Sequence, residues 1–351
     1  MRIKSMNKWL GLILLGAYPI HSYAIENGTS MAWNNYHNDD IIKLYSADEK
    51  RNCSGTLIAG KYTLTAAHCV ERSDLISKIK TAHGLQYQIV TNNIHPSYDA
   101  TIDNSYPDYA LTKLDHSVDA ARIHFFADLT INPFVEDAPL KVFGFGGTGE
   151  KLNYADFTMT ELVGGDAARL DGKMVNASHT TGGDSGGAWL DSNDRIIATH
   201  KGGGTPYTDG HRETHSTNLH FSQAFILDTI NGWHYPTLAY TSNGKATITV
   251  QSLHRGPITD SATFSGDVQI VGGTCYDGHS VTPYETCTYE IESSGGQGSI
   301  VLGQASDGTD EIIRINKPMP TSNGKEGGSL DAFGLLLLSG FGFIRKKRHH
   351  G

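Results

Sequence analysis

The sequence predicts an all-β chain interrupted by one helix, on three observations. Short apolar or alternating runs recur between clusters of Gly, Asn, Asp and Pro, as in Gly55-Thr56-Leu57-Ile58-Ala59, Gln86-Tyr87-Gln88-Ile89-Val90 and Leu140-Lys141-Val142-Phe143-Gly144-Phe145-Gly146. Helical spacing stands out in Phe221 to Trp233, where Phe221, Ala224, Phe225, Leu227 and Ile230 fall near i, i+3 and i+4. The β texture then returns from Ala246 onward. Many short strands with frequent turns pack as barrels or as a sandwich.

The elements follow in order. Met1-Arg2-Ile3-Lys4 and Lys8 precede an apolar run from Trp9 to Ala17, and Ser22-Tyr23-Ala24 closes it. A basic start, an apolar middle and a small-x-small end describe a secretory signal peptide over residues 1–24. The run is too short to span a membrane. Its removal leaves Ile25-Glu26-Asn27-Gly28-Thr29 as the new start. Residues 25–236 form the main β domain with its terminal helix, and 237–245 a linker. The stretch 246–320 carries Ala246-Thr247-Ile248-Thr249-Val250, Val268-Gln269-Ile270-Val271 and Tyr289-Glu290-Ile291. It reads as a small accessory β-sandwich. Residues 321–351 form a Gly-rich stalk and a tail.

Composition narrows the partners. The formal net charge is −9. The two ends hold Arg2, Lys4, Lys8, Arg345, Lys346, Lys347 and Arg348 against Asp331 alone, so the part between them is more acidic still. Such a surface argues against nucleic-acid binding. Four cysteines in an exported chain suggest two disulfides. Three connectivities are formally possible, and Cys275 with Cys287 would close a short local loop. His211, Glu213, His215 and His220 invite a metal reading, but they lie in a Gly-rich loop-to-strand region where helical i, i+4 spacing does not apply. They are read as solvated loop residues, and no metal or other cofactor is expected.

Three motifs carry chemistry. Gly182-Gly183-Asp184-Ser185-Gly186-Gly187 sets one Ser between glycines and after an Asp; Leu64-Thr65-Ala66-Ala67-His68-Cys69 and Tyr106-Pro107-Asp108-Tyr109-Ala110-Leu111 lie upstream. A hydroxyl is a weak nucleophile near neutral pH. It needs an imidazole to take its proton, and the imidazole needs its far nitrogen held in one tautomer. Asp99, Asp103 and Asp115 compete with Asp108 for that last role.

The order His68, Asp108, Ser185, with these flanks, resembles the chymotrypsin-like serine endopeptidases over Ile25 to Pro236. The resemblance implies two six-stranded antiparallel barrels with the site in the cleft between them, and it favours Asp108, whose Asp-Tyr-Ala-Leu matches the family's strand. It implies protein or peptide substrates and an oxyanion site made by the N–H groups of Gly183 and Ser185. It also implies a bridge between Cys53 and Cys69, and a new N-terminus at Ile25 whose ammonium pairs with buried Asp184. A catalytically inactive surface-binding or adhesion protein on the same scaffold, and an esterase, are the competing functions.

Preference is less marked. Enzymes of this family that cut after Lys or Arg carry an acid six positions before the serine, and here that position is His179. Thr180-Thr181-Gly182-Gly183, with His200 before Lys201-Gly202-Gly203, is similar to the glutamyl endopeptidases. The similarity implies a pocket of His179, Thr180, His200 and Gly203 that accepts an acidic side chain. Lys201 stands where those enzymes have Trp, Asp184 where they have Asn, and they lack the Cys53–Cys69 type of bridge. Small, apolar or basic preferences stay open.

The far end reads Gly327-Gly328-Ser329, then an apolar run from Leu330 to Ile344, then Arg345-Lys346-Lys347-Arg348. It is similar to the Gly-Gly C-terminal sorting signals of Gram-negative bacteria. The similarity implies transient membrane contact, processing by a rhomboid-type protease, and secretion or anchoring at the cell surface. The basic end should stay on the cytoplasmic side. A monomer is expected.

Overall fold

The computed structural model describes residues 25–34, 37–71, 76–102, 105–146, 151–160, 168–204, 206, 208 and 210–319. The expected signal peptide, the stalk-and-tail segment and Asp103 lie outside the described residues. Among the described residues, no helix is long and apolar enough to cross a membrane.

After β1 (Thr29–Ser30) come β2 (Ile41–Tyr45), β3 (Asn52–Ile58) and β4 (Tyr62–Thr65), the last two buried along nearly their whole length. The short α1 (Ala67–Val70), β5 (Lys78–Lys80), β6 (Gln86–Ile94) and β7 (Ala110–Leu114) follow. Strands β2-β3-β4-β7-β6-β5 close into a six-stranded barrel. Ile42, Leu44, Leu57, Ile79 and Leu114 fill it.

A second set is β8 (Pro139–Gly144), β9 (Asn153–Thr160), β10 (Arg169–Met174), β11 (Ala188–Leu190), β12 (Ile196–Gly203) and β13 (Glu213–Asn218). Its order is β9-β10-β13-β12-β11-β8, and β8 pairs back onto β9 in register from Pro139–Thr158 to Gly144–Asn153, which closes the second ring; β1 sits outside it on β9. The alternation in β9 turns Ala155, Phe157 and Met159 inward, where they meet Leu170, Trp189 and Ile197. This is the two-barrel fold the motifs implied. A larger cluster joins the barrels through Leu64, Tyr109, Phe143, Phe145, Leu190 and Leu219.

The expected helix is present but shorter. A 3₁₀ turn over Leu219–Ser222 leads into α2 (Gln223–Ile230), which stops at Asn231 in the left-handed conformation. The Asn231 N–H bonds back to the Leu227 carbonyl, an arrangement Asn tolerates at a helix end.

The remaining strands are β14 (Trp233–His234), β15 (Leu238–Ala239), β16 (Lys245–Ser252), β17 (Ile258–Thr259) and β18 (Thr263–Gly266). Next come β19 (Gln269–Gly272), β20 (Ser280–Val281), β21 (Thr286–Glu292), β22 (Gly298–Gln304) and β23 (Asp310–Ile315). Two four-stranded sheets, β14-β16-β21-β19 and β15-β23-β22-β18, enclose Ile248, Val250, Tyr289, Ile300 and Ile313. Within the stretch expected to be a linker, β15 runs parallel to β23, and β14, from the end of the expected main domain, pairs with β16. Both disulfides, Cys53–Cys69 and Cys275–Cys287, have the expected local pairing.

The sandwich is fastened to the barrels through buried polar groups. His234 Nδ1 accepts from the Ala59 N–H (3.0 Å) and its Nε2 donates to the His124 carbonyl (2.9 Å). The Gln251 amide both accepts from the Phe126 N–H and donates to the Phe126 carbonyl. Lys61 and Lys113, of the first barrel, meet the Asp307 carboxylate at 2.7 and 2.6 Å. Leu253 and Tyr284 of the sandwich belong to the same cluster that joins the barrels.

Candidate active site

His68 lies in the one-turn helix α1, behind an extended Ala66, and the Cys53–Cys69 bond ties that helix to β3. Asp108 sits just before β7 and is buried. Its carboxylate takes two bonds from one residue: Oδ1 accepts the His68 backbone N–H (3.0 Å) and Oδ2 meets His68 Nδ1 (2.8 Å). The Asp108 N–H in turn donates to Thr217 Oγ1 of β13 at 2.9 Å, which links this pair to the second barrel. Asp99 accepts from Thr101 in an exposed turn, and Asp115 accepts from the Gln88 and His116 N–H groups. Of the described candidates, Asp108 is the one joined to His68.

Ser185 is set against the first barrel by a residue the motifs did not single out. The Ser54 N–H donates to the Ser185 carbonyl (2.8 Å), and the Ser54 hydroxyl donates to the Gly183 carbonyl (2.9 Å) while accepting from the Phe145 N–H (2.9 Å). The motif glycines are required by this closeness. Gly186 has φ +86°, and a side chain there would come within 2.3 Å of the Ser54 carbonyl; Gly183 has φ +105°. The Ser185 hydroxyl donates to the Lys201 carbonyl at 3.2 Å, so its proton is directed to backbone and not to His68.

Asp184 is fully buried. Its carboxylate accepts N–H groups from Gly146 and Thr181, each at 2.8 Å, and from Ile25. Burial pushes its carboxyl up to about 6, against the lowering effect of those N–H groups. Ile25, itself fully buried, meets Asp184 through its backbone amide N–H.

The pocket residues separate. The Thr180 and Thr214 hydroxyls bond to each other at 2.8 Å, and a side chain on Gly203 would meet Thr180 Oγ1. His200 is buried and stacked on Trp189, whose indole N–H donates to His200 Nδ1 (3.3 Å). Burial holds its imidazole down to about 3, so it is neutral with its proton on Nε2. His179 differs from expectation. Its Nε2 meets Glu26 Oε2 of the N-terminal turn (3.0 Å) and its Nδ1 the Ala177 carbonyl of its own loop (3.2 Å), so both ring nitrogens are engaged within the chain.

The metal reading takes a different form from the one weighed on sequence. Asp171, Glu213 and His215 bring ligand atoms within 4.8 Å of one another. However, His215 Nδ1 already lies 2.7 Å from Asp171 Oδ1 and 2.7 Å from Arg169 Nη2. A guanidinium supplies the positive charge beside the buried Asp171. His220 bonds instead to the Leu129 carbonyl.

A cleft of about 370 Å³ is lined by His68, Asp108, Lys201, Gly202, Gly203 and His215, together with Tyr98 and Ile102. A nucleophile-bearing loop, an imidazole fixed by a buried carboxylate and an open groove together suit acyl transfer.

The trypsin sequence profile matches residues 33–224. The chain belongs to the trypsin family. It is 35% identical to a chymotrypsin of Phaedon cochleariae over 121 residues, which are 31% of this chain and 43% of that relative. The match therefore spans less than half of that relative's length. Among solved structures, this trypsin-family chain is similar to the VesB protease of Vibrio cholerae at 18% identity, over 82% of this chain and 98% of that one, with a TM-score of 0.46. For the secreted serine protease VesC of Vibrio cholerae the figures are 18%, 82% and 70%, with a TM-score of 0.47.

Proposed function

We propose that the chain is an exported serine endopeptidase that hydrolyses peptide bonds through an acyl-enzyme. Ser185 attacks the peptide carbonyl once its hydroxyl turns from the Lys201 carbonyl to His68 Nε2. His68 takes the proton and later gives it to the leaving amine. Asp108 keeps the imidazole in one tautomer and stabilises its charged form. The Gly183 and Ser185 N–H groups receive the oxyanion, and losing one such donor typically costs about 10²–10³ in rate. The observation that carries this reading is the double grip of Asp108 on His68, through ring and backbone at once.

Cleavage after Ala24 would convert the Ile25 amide into an ammonium beside Asp184. That charge would stabilise the Asp184 carboxylate and hold the loop bearing Gly183 and Ser185. Two disulfides and the leader at residues 1–24 support export. The Gly327-Gly328 tail supports sorting to the surface of a Gram-negative cell.

We also propose a preference for cutting after acidic residues. Thr180 offers a hydroxyl, His200 offers one neutral N–H through Nε2, and His179 supplies no carboxylate for a basic side chain. The test is labelling of the processed full-length protein with a fluorophosphonate probe, followed by a peptide profile varied at the residue before the cut. Labelling lost in Ser185→Ala and faster cleavage after Glu than after Lys are expected. Equal labelling of Ser185→Ala would reject the nucleophile, and equal cleavage after Glu and Lys would reject the pocket.

A further inference from the structure

Lys201 touches both ends of the proposed proton relay. Its backbone carbonyl accepts the Ser185 hydroxyl at 3.2 Å. Its side chain folds back under the cleft. The ammonium donates to the Ser105 carbonyl at 2.7 Å, lies 4.2 Å from the centre of the Tyr106 ring, and stands 3.9 Å from Asp108 Oδ2. That Oδ2 is the oxygen that meets His68 Nδ1. The side chain is 16% exposed, so little water screens the pair.

On the reading of His68, Asp108 and Ser185 as the catalytic residues, we propose that Lys201 is a positioning residue for them: its ammonium shares the Asp108 carboxylate with His68 and so sets how strongly the imidazole holds its proton. A carboxylate facing one cation stabilises an imidazolium more than a carboxylate facing two. With the ammonium in place, His68 gives up its proton at lower pH and stays available as a base.

The other charges around the pair are accounted for. From α1, Glu71 accepts the Tyr98 hydroxyl at 2.7 Å. From β12, His200 is buried and neutral. From β10 and β13, Arg169 and His215 are engaged with Asp171. Burial pulls the Lys201 amine below its ordinary value, Asp108 opposes that, and Arg169 adds to it.

The experiment titrates the His68 ring by NMR in the full-length protein with Ser185→Ala, which prevents self-digestion; the signal is assigned by its loss in His68→Gln. Lys201→Gln keeps a donor for the Ser105 carbonyl without the charge, and Lys201→Arg keeps the charge. The titration midpoint should rise by roughly one pH unit in Lys201→Gln and stay in place in Lys201→Arg. With Ser185 intact, the pH profile of fluorophosphonate labelling should move to higher pH than the parent's by the same amount in Lys201→Gln and stay in place in Lys201→Arg. Lys201→Met keeps the stem over Tyr106 and reads the same shift if the Gln variant does not fold. A midpoint that stays in both uncharged variants, or moves equally in the Arg variant, overturns the proposal. If no variant with Ser185 labels at any pH, the hydrolase reading fails, while the titration still decides the role of Lys201.

Discussion

The Ser54 hydroxyl donates to the Gly183 carbonyl across 2.9 Å, from a strand of the first barrel to the loop that ends in Ser185. This bond fixes where the Gly183–Asp184 peptide points. The N–H groups on either side of that peptide, of Gly183 and Ser185, are the ones proposed to receive the oxyanion, so a first-barrel side chain would orient a second-barrel site.

Ser54→Ala should therefore lower the rate of fluorophosphonate labelling. It should also cost about 1–3 kcal/mol of stability, because the Phe145 N–H loses a buried acceptor. Labelling kinetics and denaturant unfolding of the same preparation measure the two effects. Full labelling speed in a destabilised variant would limit Ser54 to a structural role.

Asp108→Asn should reduce kcat by about four orders of magnitude through loss of the correct imidazole tautomer. The fold should persist, since the amide oxygen can still accept the His68 N–H. Circular dichroism and a peptide assay check both halves. Asp99→Asn, in its exposed turn, should leave kcat near that of the parent.

Asp184 gives a pH prediction. Burial raises its carboxyl from 3.8 to about 6 while Ile25 offers only an amide N–H. A raised carboxyl means that the folded chain binds a proton which the unfolded chain has released. The stability this confers is whole below pH 4 and is lost as the pH rises through 6. A chain still carrying residues 1–24 should lose roughly 3 kcal/mol over that window relative to the same chain with Asp184→Asn. An ammonium at Ile25 should remove the loss. Calorimetric Tm against pH for the cut and uncut forms tests this.

His234 gives the opposite trend. Burial lowers its imidazole from 6.5 to about 4, so the folded chain refuses a proton that the unfolded chain takes. The stability is whole above pH 6.5 and falls away toward pH 4. His234→Gln keeps one donor and one acceptor for the His124 carbonyl and the Ala59 N–H, and should show a flatter dependence there. Unfolding at fixed pH steps from 7 to 4 measures the slope.

The chemistry-bearing residues were legible because each sits in a short local motif whose neighbours constrain it. Ser185 is followed by Gly186, where the loop has no room for a side chain. Ser54 was not legible. It acts on Gly183, 129 positions away, and nothing in Cys53-Ser54-Gly55 announces the contact. Counting six positions back from the serine did reach His179. The direction of its ring depends on Glu26, 153 positions distant, which local sequence cannot report. The strand inside the expected linker was hidden for a similar reason. The two-residue β15 shows no periodicity, and the Thr, Ser, Asn and Gly that follow it look like unstructured chain. Its partner β23 holds it in the sheet.

The fastening of the sandwich to the barrels makes the two inseparable in practice. Ending the chain at Pro236 would strip Lys61 and Lys113 of their shared counter-ion and leave β14 without its neighbour. A shortened enzyme prepared for assays would then carry a raw, sticky flank on the first barrel. The sandwich strands therefore belong with the barrels in any preparation meant to keep these contacts.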